Sequence, residues 1–491
     1  MTTRIHPSVV RSSAPASSEH GAFCRVRSAA FAGLAVSAAL VAAPGTHAAA
    51  PSLPTGAQTV AGAQTVSQSG TTLTVTQTTA KAATNWQSFN IGAGHTVNFV
   101  QPSASAVSLN RVVGTDVSVI QGALNANGHV FLLNPNGVLF TQSAQVNVGG
   151  IVASTLHMKT EDFMAGRYTF EGAGSGTIIN QGNITAAKGG FVGLIAAKVT
   201  HTGSIVAPEG SVVAGAGNRV TLDLGGPIKI KVEEGVLDAL VEQGGAIRAD
   251  GGLVYLTAKA VGEVTRTVLN HTGITEARTL STGKDGKIYL MGGMEKDRIA
   301  VKGKLDASAP NGGNGGFVET SAAHVQIADE VQVTTAAPKG KAGTWLIDPV
   351  DFYINAGNGA QSANGIGATT LGTALNTNNV TIQTDASTAG NGDILLFASV
   401  TKTTGAATTL TLAAHRDISF SAGADILGSN DAPLNIILAA RAMGGPEGYV
   451  FIGSGSVLRS FGGDITIGGG GRSGGFRPRV YAWKRSGGQN L

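Results

Sequence analysis

Gly182-Asn183-Ile184-Thr185-Ala186 is followed three residues later by Gly190-Phe191-Val192, and this pair of phrases recurs along the chain. It returns as Gly203-Ser204-Ile205-Val206-Ala207 with Gly210-Ser211-Val212-Val213. It returns again as Gly245-Ala246-Ile247-Arg248-Ala249 with Gly251-Gly252-Leu253-Val254, and as Gly303-Lys304-Leu305-Asp306-Ala307 with Gly315-Gly316-Phe317-Val318. The first two copies start 21 residues apart and later copies lie farther apart, as insertions at turns would space them. Each phrase is a short β run closed by residues that tolerate turn conformations.

Working outward, the same grammar holds from about Thr71: Thr72-Leu73-Thr74-Val75-Thr76, Val117-Ser118-Val119-Ile120 and His129-Val130-Phe131-Leu132-Leu133 are further short runs. In the C-terminal half, Asp-Ile pairs begin at Asp393, Asp417 and Asp464, with one at Asp425 off the period, and Leu410, Leu434 and Leu458 are spaced by 24. A turn of 20–25 residues with two or three short strands cannot bury its inward side chains alone. Stacked on its neighbours it can, each strand pairing with its equivalent ~4.8 Å along the axis. The expected fold is therefore all-β, a right-handed parallel β-helix (solenoid) with an N-terminal capping region. Val232 to Glu242 reads either as a short helix or as a strand insertion.

Composition agrees. Of 491 residues, 71 are Gly, 42% are hydrophobic and 13% are charged, which supplies a core and excludes a disordered chain. The net charge of +4 hides an asymmetry: residues 1–50 carry +3 and the tail from Gly471 carries +5, which leaves −4 on the body. That balance argues against nucleic acid as a partner. Cys24 is the one cysteine. It precedes an uncharged run from Ala29 to Ala43 that follows Arg25 and Arg27 and leads through Pro44 and Gly45 to Thr46-His47-Ala48. This is the order of a secretory signal cleaved near Ala48. The run is too short for a membrane span, and no other stretch reads as a stable span. The processed chain would have no thiol, hence no disulfide and no cysteine nucleophile.

One segment is more specific. Gly122-Ala123-Leu124-Asn125-Ala126-Asn127-Gly128-His129-Val130-Phe131-Leu132-Leu133 runs into Asn134-Pro135-Asn136-Gly137-Val138-Leu139-Phe140, and then into Asn147-Val148-Gly149-Gly150-Ile151-Val152-Ala153-Ser154-Thr155. By itself Asn134-Pro135-Asn136-Gly137 reads as a tight turn, with Pro presetting φ, Gly allowing positive φ and the Asn amides capping backbone groups. The whole stretch, with Trp86-Gln87-Ser88-Phe89-Asn90-Ile91 upstream, resembles the secretion domain of filamentous haemagglutinin-like exoproteins, the passengers of two-partner secretion. The resemblance is dense from about Ser67 to Thr155 and thins to Gly343-Thr344-Trp345-Leu346-Ile347-Asp348-Pro349. Thr141 stands where the family often has Gly, and the family's second short motif, Asn-Pro-Asn-Leu, is missing.

The resemblance implies a route: the general secretion machinery, the periplasm, then a cognate outer-membrane β-barrel transporter that recognises the region around Asn134, Pro135, Asn136 and Gly137. It implies a secreted or surface-exposed product of a Gram-negative bacterium, acting as an adhesin or haemagglutinin on an unknown host or bacterial receptor. Its alternatives are the secretion module of a truncated contact-dependent toxin or haem-acquisition protein, and a carbohydrate-active β-helix enzyme. The expected organisation is a signal at 1–48, a secretion domain at 49–165, repeats at 166–345, degenerate repeats at 346–470 and a Gly/Arg-rich tail at 471–491, where the repeat pattern dissolves as truncation would leave it.

No enzyme, cofactor or metal is expected. Gly471-Arg472-Ser473-Gly474-Gly475 matches a nucleophile elbow and Gly469 to Gly474 a dinucleotide fingerprint, but both sit in a glycine run without strand–helix context. No His pair has zinc-ligand spacing, and His95 and His129 read as surface strand positions. Asp250 and Asp285 read as solvated corners. Asp223, Asp306 and Asp348 show no spacing that would gather them on one face, and Asp393, Asp417 and Asp464 read as a structural ladder.

Overall fold

The computed structural model describes residues 52–469, apart from 173–175, 225–227, 358–363, 388 and 443–446. The signal segment with Ala48, the tail from 471 and the two glycine-run motifs, save Gly469 at the start of the second, lie outside the described residues.

Period-two burial makes the strands, and parallel pairing between successive coils stacks them. Strands Ser211–Ala216, Leu253–Ala258, Lys287–Met291, Phe317–Ser321 and Thr344–Asp348 pair in register. Val212, Val254, Ile288, Val318 and Trp345 therefore lie one above another, and all are buried. Two further parallel ladders close each coil. One runs through Ile184, Ile205, Ile247, Thr275 and Leu305. The other runs through Val138, Ile178, Val199 and Val241. The fold is a parallel β-helix whose core is one continuous apolar column. At about 25 cal/mol per Å² of apolar area removed from water, such a column is the main source of stability in a chain of few charges.

The recurring phrases are the rungs of these ladders. A copy missed in the sequence, Gly273-Ile274-Thr275-Glu276-Ala277, falls in register between the Ile247 and Leu305 copies, with Thr275 in the aliphatic place. The 42-residue step from Ile205 to Ile247 is an insertion, as expected. The leucine spacing of 24 is coincidence: Leu410 stacks on Ile436, Leu434 on Thr408 and Leu458 on Ile426, three different rungs. Coils of this half advance by unequal steps, from Ile394 to Ile418 and then to Val450, because corner loops differ in length.

Three features depart from a plain solenoid. At the N-terminal end, Gln58–Ala61 and Gln64–Ser69 lie antiparallel over the first coil. In the C-terminal half the helix Ala368–Leu375 packs between the strands Gln332–Thr334 and Val400–Thr401. The third feature is a flap: the short helix Thr160–Ala165 and an antiparallel sheet of Tyr168–Glu171, Arg219–Asp223 and Lys229–Glu234. Of the two readings of 232–242, the strand is realised. The flap sets Phe163, Tyr168, Phe170, Val220, Leu222 and Ile230 against outward-facing Leu109, Phe131, Val152 and Val213, forming a second core outside the coil.

Candidate functional site

The turn at 134–137 joins strands His129–Leu133 and Val138–Phe140 and stitches together three coils. Asn134 is fully buried. Its backbone N–H donates to Ser154 O at 2.9 Å, and its amide Nδ2 donates to Asp116 O and Ser118 Oγ, both at 2.9 Å. Its Oδ1 accepts from the backbone and side-chain N–H groups of Asn136, each at 3.0 Å. Gly137 N–H closes the turn on Asn134 O at 3.0 Å, and Gly137 takes φ +124°, which a side chain would strain. Asn136 Nδ2 reaches down to Gly114 O at 2.9 Å, while Gly176 N–H of the next coil donates to Pro135 O at 3.1 Å. A Cβ on Gly176 would lie 2.5 Å from Pro135 O, so the coils approach there without room for a side chain. Pro135 and Asn136 remain half-exposed. The turn is thus a clamp with a visible outer edge.

The neighbouring motifs build the same corner. Trp86 is buried, meets Phe89 edge-on at 5.5 Å and donates its indole N–H to Asn110 Oδ1 at 3.0 Å. Asn90 Oδ1 accepts from Val119 N–H at 2.8 Å on the coil to which the turn is tied. Strand Gln145–Ser154 bends at Gly149 and Gly150, pairing its first half with Ala123–Ala126 and its second with His129–Leu133. A Cβ on Gly149 would sit 2.7 Å from Gly128 O, and one on Gly150 the same distance from the Phe191 ring. The Gly-Gly pair is there because the corner has no space. His129 is half-buried against the Phe191 ring at 4.8 Å, and burial lowers its pKa, so it is not a free surface position; His95 precedes its strand rather than lying on it.

The charged residues are distributed differently from the expectation. Strand register places Arg248, Glu276 and Asp306 on one outward ladder. Asp250 is no solvated corner: Arg278 and Arg248 grip it at 2.7 and 2.8 Å. Burial disfavours its charge, but these hydrogen bonds outweigh that and hold the carboxyl down at about 2. Lys304 pairs with Asp306 at 2.9 Å. Asp285 is exposed, as expected of a corner, and Asp223 ends a flap strand.

Asp348 has the reverse fate. Burial, then the neighbouring Glu319 and Asp385 charges, push it up to about 7. Glu319, also raised by burial, accepts from Ser321 Oγ at 2.9 Å. It stands one rung from Tyr289, which stacks with Tyr255 at 5.2 Å. Glu319 was passed over in the sequence. Its position one residue past buried Val318 would have shown that it faces outward.

The Asp ladder holds in part. Asp351 Oδ1 accepts Asp393 N–H at 2.8 Å, Asp393 Oδ1 accepts Asp417 N–H at 3.1 Å, and Asp417 Oδ1 accepts Tyr449 N–H at 2.8 Å. Asp464 belongs to another corner, where its N–H donates to Asn435 Oδ1 at 2.9 Å. His271 is buried, which lowers its pKa to about 4, and its ring nitrogens meet Lys302 O and Thr275 Oγ1. Among the described residues no three His, Cys, Asp or Glu side chains gather as metal ligands would.

The sequence profile of the TPS secretion domain matches residues 50–305, just over half of the chain and including this entire corner. The chain belongs to the TPS secretion domain family. It is thus an exoprotein of two-partner secretion. Two curated relatives, both named heme/hemopexin-binding protein from Haemophilus influenzae, are 35% identical over 276 residues and 33% identical over 270. The matches take in 53% and 50% of this chain but 29% of each relative. Among solved structures, the HMW1 secretion domain from Haemophilus influenzae superposes with a TM-score of 0.60 at 22% identity, over 83% of this chain and 98% of that one. At that identity the likeness bears on the fold, and it agrees with the β-helix described above.

Proposed function

We propose that this TPS-family chain is delivered to the outer surface or the medium through its cognate transporter and works there by binding, as an adhesin, without catalysis. The observation that carries the proposal is the intact corner at 86–91, 114–118, 134–137 and 145–155, inside the matched secretion domain. The half-exposed edge of Pro135 and Asn136 is what a transporter can read, and buried Asn134 is what keeps that edge in shape. Deleting the transporter gene is expected to abolish extracellular protein; unchanged export would refute the proposal. Pro135→Ala tests recognition against fold, because it leaves the side-chain hydrogen bonds of Asn134 and Asn136 in place. Export falling while the purified variant unfolds like the parent marks a contact with the transporter.

A second reading concerns the ligand. The names of the two relatives favour capture of haem, or of a haem-carrying protein, over cell adhesion. Because the match covers a minor part of those relatives, this remains a proposal for the present chain. Titration of the secreted protein with haemin, read by the Soret band, and pull-down with hemopexin test it against adhesion to epithelial cells.

Absence of catalysis is supported by the ion pairs that occupy Asp250 and Asp306. Glu319 and Asp348 are the carboxylates to watch. Polysaccharide turnover that disappears in Glu319→Gln or Asp348→Asn would replace the binding reading with an enzymatic one.

A further inference from the structure

The two strands that cap the N-terminal end carry a tandem repeat, Gly56-Ala57-Gln58-Thr59-Val60 and Gly62-Ala63-Gln64-Thr65-Val66. Their edges are not equivalent. The first, Gln58–Ala61, pairs with Lys81–Trp86 through a register break between Thr59 and Ala61, the kind of irregularity that blunts an edge. The second, Gln64–Ser69, pairs with Thr72–Gln77 in six consecutive rungs without a break. Among the described residues nothing pairs with its other edge. The chain that precedes it runs elsewhere: Ser52 O accepts from Gly92 N–H at 2.7 Å, and Thr55 bridges to Ser88.

This edge also lacks the usual defences. No Asp, Glu, Lys or Arg occurs between residues 48 and 80, and no Pro between 55 and 101. Proteins ordinarily place Lys, Pro or a bulge on such an edge to prevent strand addition. Val66, at its centre, is 38% exposed.

Hairpin parity says which backbone groups are free. Gly70 takes φ +55° in the two-residue turn, so the closing pair Ser69/Thr72 is a hydrogen-bonded pair. Thr78 N–H donates to Ala63 O at 2.9 Å, which confirms that odd-numbered residues of the strand face inward to the hairpin. The N–H and C=O groups of Gln64, Val66 and Gln68 therefore point to the open edge. These three positions are symmetric about Val66. A second copy laid antiparallel and centred on Val66 pairs 64 with 68, 66 with 66 and 68 with 64, and each pair can exchange two backbone hydrogen bonds. A two-fold interface needs this self-complementarity, and with no charge on the strand no like charges meet across the axis.

We infer that the Gln64–Ser69 edge is a homodimerisation edge, at which two copies of this chain join cap to cap through an antiparallel strand pair centred on Val66. The two solenoids then extend away from each other and their sheets become continuous. One six-residue strand buries far less than a standard interface, so association is weak and concentration-dependent.

The test uses the processed protein purified from culture medium. Sedimentation equilibrium from about 1 to about 500 µM is expected to show a reversible monomer–dimer equilibrium, and Val66→Pro and Val66→Lys each to weaken it at least about tenfold. Thermal unfolding of both variants should match the parent, because residue 66 makes no hydrogen bond within the hairpin. Mixing Val66→Lys with Val66→Glu should restore a mixed dimer that neither forms alone. A parent that stays monomeric, or variants that dimerise like the parent, overturns the inference. So does amide-exchange protection at 64, 66 and 68 that ignores protein concentration and arises only on adding the transporter's periplasmic part, which would make a transporter strand the occupant.

Discussion

Asn134 shows how much one side chain can hold in a fold made of repeats. Its amide fills two donor and two acceptor roles in a site without water access, between two coils. Asn134→Ala removes the amide that Ser118 Oγ, Asp116 O and the Asn136 backbone N–H bond to, and for the fully buried Ser118 hydroxyl a lost partner costs roughly 1–3 kcal/mol. We expect a loss of about 3 kcal/mol in urea unfolding, with export falling in proportion to stability. Asp348 makes a second prediction at this scale. Its folded pKa of about 7 lies above the ordinary 3.8, so the folded state binds the proton more tightly. The associated stability is complete below about pH 4 and is lost as pH rises through about 7. Asp348→Asn removes this loss: the variant should match the parent at pH 4 and exceed it by about 2 kcal/mol at pH 8, measured by denaturant midpoints. Asp250 is opposite in sign. With its pKa held at about 2, its contribution is present above 3.8 and disappears as pH falls through 2.

The flap is the element that decides what the N-terminal coils present. Lys81 donates to the carbonyls of Phe163 and Met164 at 3.1 and 3.0 Å and lies over the Phe163 and Tyr168 rings; Arg111 donates to Met158 O at 2.8 Å. Two cations of the first coils thus add donors to the carbonyls at the C-terminal turn of the helix and to Met158 O in the segment before it. Phe170 is fully buried in the second core. Phe170→Ala should cost about 3–5 kcal/mol and, because the flap lies outside the coil, should release it alone. Amide exchange is expected to accelerate at 160–171 and 219–234 while the inner strands keep their protection. Uniform acceleration would mean that flap and coil unfold together.

Across the whole molecule, stability is carried from coil to coil, since each inward rung rests on the rungs above and below. A charge placed inside one rung should therefore divide the chain. Val318→Asp buries a carboxylate without a partner, and limited proteolysis of the variant is expected to leave the coils before about residue 290 intact while cutting those around 318. Loss of the entire protected core would instead show a single cooperative unit.

The alternation of Gly-bounded aliphatic runs was enough to establish parallel stacking, because no other arrangement hides Ile184, Ile205, Ile247 and Leu305 together. The Asn134–Gly137 turn was equally legible, since Pro and Gly restrict backbone torsions locally and Asn caps what lies nearest. What the chain pattern could not assign was anything dependent on register between distant coils. The 24-residue leucine spacing points to one ladder and the structure separates it into three, because corner loops change coil length without altering the strands. Arg278 reached Asp250, and Asp348 met like charges, only once rungs 20 to 40 residues apart were set side by side, whereas Arg248 and Lys304 stand two residues from the carboxylates they pair with. The flap escaped notice for a related reason: its alternating strands look like any others, and which sheet a strand joins depends on the apolar surface left uncovered by the folded coil.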